Sequence, residues 1–159
     1  MVREALGRTV DDRRTTGMTR AQVFCVVVGA TLVAAGVLGF FYSSDFSTGS
    51  AVNEPGNRDA VLGILDVNGW HNVVHLATGV VALALAPSPS YARGYALVFG
   101  VTYLILATIG FAVGDGDSIL DLIPVNTEGN VLHLLLGVAG IAAGASGPDV
   151  PEPTTARAG

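Results

Sequence analysis

A long apolar run begins with the residues Val67-Asn68-Gly69-Trp70-His71-Asn72-Val73-Val74-His75-Leu76-Ala77-Thr78-Gly79. Its polar stripe Asn68, Asn72, His75 and Gly79 recurs 58 residues later as Asn126, Asn130, His133 and Gly137. The shared spacing of four, three and four places these side chains on one face of a helix. Polar groups in an apolar helix are costly and normally face other protein. The two stripes therefore predict two helices that meet around them.

Composition indicates a membrane protein. The 159 residues are 50% hydrophobic but only 13% charged, whereas about a quarter of a soluble domain is charged. Basic residues do not form a patch with interleaved aromatic residues, so nucleic-acid binding is excluded. The chain has a single cysteine, Cys25, so it has no intramolecular disulfide.

Apolar runs predict four transmembrane helices, at about residues 21–42, 69–86, 91–113 and 127–145. The first run would span roughly 33 Å as a helix, which is enough for a bilayer core. It is too long for a signal peptide, and Phe40-Phe41-Tyr42 replaces the small residues of a cleavage site. The outer loops are residues 43–68 and 114–126, with interfacial segments at 60–65 and 118–123.

The arginines predict the orientation. Arg58 alone falls in an outer loop, and seven fall in the other segments: Arg3, Arg8, Arg13, Arg14, Arg20, Arg93 and Arg157. By the positive-inside rule both termini are cytoplasmic. The tails, residues 1–20 and 146–159, are polar and predicted to be flexible.

Matches beyond the stripes indicate an internal duplication. Gly29, Thr31, Gly39 and Phe40 of the first span align with Gly100, Thr102, Gly110 and Phe111 of the third. The predicted fold is therefore all-α, a four-transmembrane-helix bundle built from two parallel helix-hairpin repeats.

Small residues continue each stripe and predict close helix packing. They are Gly79, Ala82 and Ala86 in the second span and Gly137, Gly140 and Gly144 in the fourth. Such spacings let helix backbones approach closely in a membrane. We therefore expect helices two and four to form a central pair. Ala35 and Gly39, expected to face outward, predict a homo-oligomer or a membrane-protein partner.

The members of the stripe have different predicted roles. Asn68 and Asn126 are expected to be helix N-caps, and Asn72 and Asn130 to hydrogen-bond across the central pair. For His75 and His133 three interpretations stay open: a neutral buried pair, axial ligands of haem, or a proton- or metal-responsive site that includes His71. His71 is the weaker candidate, because Gly129 takes its place in the second copy and Trp70 puts it at the wet interface.

The motif Val67-Asn68-x-x-His71-Asn72-x-x-His75-x-x-x-Gly79, echoed around Asn130 and His133, resembles a family of unknown function. Its members are small four-helix integral membrane proteins that are common in actinobacteria. The resemblance covers about residues 18–145 and implies a bacterial plasma-membrane protein, but no activity.

The functional prediction is a membrane protein with a structural, sensing or assembly role and no identified catalytic residue or metal site. The recognised enzyme motifs are missing from the sequence. Two alternatives stay open: a redox protein that binds haem or quinone between helices two and four, and a carrier or channel for a small neutral solute.

Overall fold

Four helices form the larger part of the structure, a computed structural model that describes residues 17–146. They are α1 (Arg20–Gly39), α2 (Gly69–Leu85), α3 (Pro89–Val113) and α4 (Thr127–Ala145). Most of the two predicted tails and five of the eight arginines lie outside the described residues.

Three of the helices are long and apolar enough to cross a membrane: α1, α3 and α4. The fourth, α2, is apolar but has only 17 residues, which gives a length of roughly 25 Å. These helices fit an integral membrane protein.

The first helix ends earlier than the predicted Tyr42. Backbone N–H groups of Tyr42 and Ser43 both donate to the carbonyl of Gly39, at 3.0 and 2.9 Å. The α-helix therefore ends at Gly39, and residues 40–42 form a turn. Phe41, beyond the turn, is 82% exposed.

The loops between α1 and α2 and between α3 and α4 each contain a small antiparallel hairpin, so the fold is not all-α. The first hairpin pairs β1 (Asp59–Val61) with β2 (Leu65–Val67), and the second pairs β3 (Ser118–Ile119) with β4 (Ile123–Pro124). Both turns contain a leucine in the left-handed region, with φ of 55° at Leu62 and at Leu120. These apolar segments are too short for a stable helix, and they satisfy their backbone groups by pairing.

The helices pack as two pairs, α1 along α2 and α3 along α4, so the predicted central pair of α2 and α4 is wrong. The small residues do permit close approach, but to other helices than predicted. A Cβ on Gly79 would lie 2.8 Å from the Gly29 carbonyl oxygen of α1. One on Gly140 would lie 2.9 Å from the Ala96 carbonyl oxygen of α3. Spacing alone predicts a close contact without naming the partner helix.

The core lies between α1, α3 and the second half of α2. Phe24 and Phe99 meet edge to face with ring centroids 5.5 Å apart, and Phe99 stacks on Tyr103. The Cys25 side chain is fully buried in this core. Gly39 is buried as well and Ala35 is partly buried, so the expectation that these two residues face outward is wrong.

Candidate functional site

Asn68 and Asn126 cap α2 and α4, as their positions predict. Their side-chain oxygens accept from the backbone N–H of His71 and of Gly129, each at 2.9 Å. Their amide nitrogens reach the hairpin of the other half: Asn68 donates to Leu122 O at 2.7 Å, and Asn126 to Ile64 O at 2.5 Å. Each cap therefore fixes the start of one helix against the opposite hairpin.

Asn72 and Asn130 do not pair with each other across α2 and α4. Asn72 donates to the Ser43 carbonyl at 2.8 Å and packs against Gly39. Asn130 packs against Gly110 in the same way. Each buried amide fills space that a side chain on the glycine would need, so these two asparagines belong to the α1–α2 and α3–α4 contacts.

Three histidines converge from α2 and α4. His71 Nε2 lies 3.0 Å from His75 Nε2, and one ring nitrogen from each of His71, His75 and His133 lies within 4.8 Å of the others. The structure buries His71 at 8% exposure, so its predicted place in the wet interface is wrong. The sequence contains a signal for this position: His71 lies four residues before His75, a spacing that places the two rings on adjacent turns of a helix.

Hydrogen bonding orients the His71 ring. Its Nδ1 lies 3.1 Å from the backbone carbonyl oxygen of Asp66, and because a carbonyl only accepts, we assign the proton to Nδ1. Nε2 then carries a lone pair that points at His75. A backbone carbonyl that holds the far nitrogen of an imidazole is a common outer-shell contact of metal-ligating histidines.

His133 completes the group from α4. Its ring meets Tyr103 of α3 edge to face, with centroids 5.1 Å apart. Its Nδ1 is buried and has no hydrogen-bond partner among residues 17–146. A buried polar atom without a hydrogen-bond partner destabilises the folded protein. A ligand that bound this nitrogen would remove that penalty.

The histidines line a cavity of about 410 Å³ between α1, α2, α4 and the first hairpin. Its other walls are mainly apolar and include Leu32, Ala35, Leu38, Val61, Leu132 and Leu136. Within residues 17–146, Asp66 is the only acidic residue in this lining. A mainly apolar pocket with a few convergent polar groups is the usual form of a small-ligand site.

Acidic residues set the electrostatics above the cavity. Burial raises the pKa of Asp66, although Arg58, with Nη1 3.3 Å from Asp66 Oδ2, acts to lower it. Asp115, Glu128 and Asp59 raise the pKa of Asp66 further through their negative charge. This excess of negative charge favours the approach of a cation.

The chain belongs to a family described as a domain of unknown function (DUF4383), whose model matches residues 22–146. No curated protein and no solved structure matches the chain. The family therefore assigns no activity, and the chemistry has to be argued from the site.

Proposed function

We propose that this member of the DUF4383 family is a plasma-membrane protein that binds one divalent transition-metal ion through His71, His75 and His133. The observation that carries the proposal is the convergence of three ring nitrogens within 4.8 Å. Metal occupancy would serve a sensing or assembly role, because it ties α2 to α4, two helices that otherwise pack on different partners.

The distances suit one small ion. Zinc–nitrogen bonds of about 2.0–2.1 Å in tetrahedral geometry place ligand nitrogens roughly 3.3 Å apart. The His71 and His75 nitrogens are 3.0 Å apart, so small ring rotations would open the required space. Imidazole ligands suit zinc, copper, nickel and iron. Three protein ligands leave a fourth position for an exchangeable ligand, and the apolar cavity gives that ligand a place.

We further propose that α2 also spans the membrane and that two similar halves arose by duplication. Matching contacts support the duplication: Gly39 with Asn72 corresponds to Gly110 with Asn130. Charge supports cytoplasmic termini, because Arg20 and Arg93 lie at the helix ends opposite the hairpins. The histidines then lie in the outer half of a bacterial plasma membrane.

The haem alternative has less support than a single ion. Axial nitrogens on opposite sides of an iron atom need a separation near 4 Å, from two bonds of about 2 Å. The third imidazole, His71, already occupies the space beside His75, with ring centroids 4.3 Å apart. A quinone would fit the apolar cavity walls better than the haem macrocycle would. A carrier function would require a continuous polar path past Phe99 and Tyr103.

Metal binding is tested on protein purified through a tag without histidine. Isothermal titration with Zn²⁺, and absorption spectra with Co²⁺, are expected to show one site per chain. His71→Ala, His75→Ala and His133→Ala should each weaken binding by more than about 100-fold, beyond the 10–100-fold effect of a lost outer-shell contact.

The matched control is Thr31→Ala, which lines the same cavity but offers no imidazole, and its affinity should equal that of the wild type. Zinc binding that persists when all three histidines are replaced would overturn the proposal. A Soret band in protein expressed with sufficient haem would instead favour the haem alternative.

A further inference from the structure

A second cavity, of about 490 Å³, lies at the opposite end of the helices from the histidines. The first turns of α1 and α3 and the last turn of α4 surround it. Its lining includes Thr19, Arg20, Pro89, Ser90, Arg93 and Leu97. The cavity therefore combines basic groups and hydroxyl groups with a few apolar side chains.

Charge in this cavity has one sign. Arg20 and Arg93 line it, and no carboxylate of the described part of the chain does. All acidic residues between positions 17 and 146 lie in the two hairpin loops or in the first turn of α4, at the other end of the helices: Asp45, Glu54, Asp59, Asp66, Asp115, Asp117, Asp121 and Glu128. Among residues 17–146 these two guanidinium groups have no carboxylate nearby, an arrangement that favours an anionic ligand.

The two arginines are held on different sides of the cavity. Arg93 Nε donates to the Gly144 carbonyl at the end of α4, at 2.9 Å, which fixes its guanidinium group and leaves the terminal nitrogens for another acceptor. Arg20 Nη1 lies 3.5 Å from Ser146 Oγ, at the long limit of a hydrogen bond. Arg93 is therefore preorganised, whereas the contact between Arg20 and Ser146 is weak enough for Arg20 to move toward a ligand.

We propose that this cavity binds the phosphate of an anionic phospholipid headgroup. Arginine recognises phosphate oxygens with paired hydrogen bonds, and the hydroxyl groups of Ser90 and Thr19 can donate to the same oxygens. The cavity lies at the ends of apolar helices, where headgroups are found. Leu97 and Pro89 offer apolar surface to the glycerol and upper acyl chain, which a free phosphate ion would not use.

The full-length protein is tested in nanodiscs of phosphatidylcholine that contain increasing fractions of phosphatidylglycerol, with bound lipid counted by native mass spectrometry. Saturable retention of phosphatidylglycerol is expected. Arg20→Gln and Arg93→Gln should each weaken it by about fivefold, the effect of one basic residue near an anionic surface. Arg58→Gln is the matched control, because Arg58 lies by the first hairpin, and it should leave retention unchanged.

Competition with inorganic phosphate and with glycerol phosphate distinguishes a lipid ligand from a free anion. If either competes at low millimolar concentration with phosphatidylglycerol, the cavity belongs to a soluble phosphate and the lipid assignment is wrong. Equal retention in wild type and both variants would also overturn it. Should a variant fail to fold, the wild type decides: retention must fall as sodium chloride increases, because salt screens this interaction.

Discussion

Gly39 and Gly110 show how closely single residues determine the packing of this protein. A Cβ on Gly39 would overlap the side-chain oxygen of Asn72, and one on Gly110 would overlap that of Asn130. The asparagines are almost fully buried, so they have no free space into which they can move. Each glycine–asparagine pair acts as one unit in the contact between neighbouring helices.

Gly39→Ala and Gly110→Ala are expected to destabilise the protein by about 1–3 kcal/mol each, the usual cost of overpacking. Thermal unfolding in detergent, followed by circular dichroism, measures the effect. Gly94→Ala is the control, because a Cβ at Gly94 has nothing within 4 Å, and alanine there should raise stability by up to about 1 kcal/mol. Equal melting temperatures for all three variants would contradict the packing described.

Asp45, in the loop after α1, makes the folding stability of the protein depend on pH. Hydrogen bonds from the Ser47 side chain and backbone lower the pKa of Asp45, and the backbone contact is 2.7 Å long. A lowered pKa in the folded state stabilises the protein above the unfolded pKa, near 4, and that contribution disappears as the pH falls. Asp45→Asn should therefore lower the melting temperature slightly at pH 7 and have a progressively smaller effect as the pH falls below about 4. A larger effect at pH 3 than at pH 7 would contradict the assigned cause.

At the scale of elements, the two hairpins carry the most strained backbone. Leu120 has φ of 55° and is 84% exposed, so its side chain gains little from the protein to offset a conformation that costs roughly 1–2 kcal/mol for a residue with a Cβ. The strain follows from the tight turn of the second hairpin.

Leu120→Gly is expected to raise the stability of the protein by about 0.5–1 kcal/mol, because glycine adopts positive φ without a steric cost. Thermal unfolding measures the effect. The control is Leu135→Ala, which alters an exposed leucine in a helix. A lower melting temperature for Leu120→Gly would show instead that lipid or a partner holds the leucine in place.

The sequence predicts the elements better than it predicts their partners. Asn68 and Asn126 precede apolar runs, which is the local pattern of a capped helix, and the four helices follow from it. The glycine spacing in α4 predicts a close contact with another helix. It does not identify α3 as that helix, because a small residue permits the close approach of any neighbour. The spacing of His71 and His75 places their rings on adjacent turns, but it cannot show that the Asp66 carbonyl orients the His71 ring or that His133 meets them from α4.

At the scale of the whole molecule, sidedness can be measured with cysteines. Native Cys25 is fully buried and should resist a maleimide in intact cells. In a Cys25→Ala background and with the proposed orientation, Glu54→Cys in the loop between α1 and α2 should be labelled by a membrane-impermeant maleimide, and Ser90→Cys should react only after the cells are opened. Both residues are exposed. Labelling with the opposite preference would reverse the proposed orientation.

The crossed bonds of the two N-cap asparagines have a wider consequence. The Asn68 side chain donates to the carbonyl of Leu122, and the Asn126 side chain donates to the carbonyl of Ile64. Each half therefore donates one hydrogen bond to the other half and accepts one from it. Reciprocity of this kind is the pattern of an isologous dimer interface. Two separate half-length chains would make the same pair of bonds, and here only the short connection between Leu85 and Pro89 joins them. The crossed bonds thus support the proposed duplication, in which a dimer-like arrangement lies within one polypeptide and His71 and Gly129 mark a position where the two halves differ.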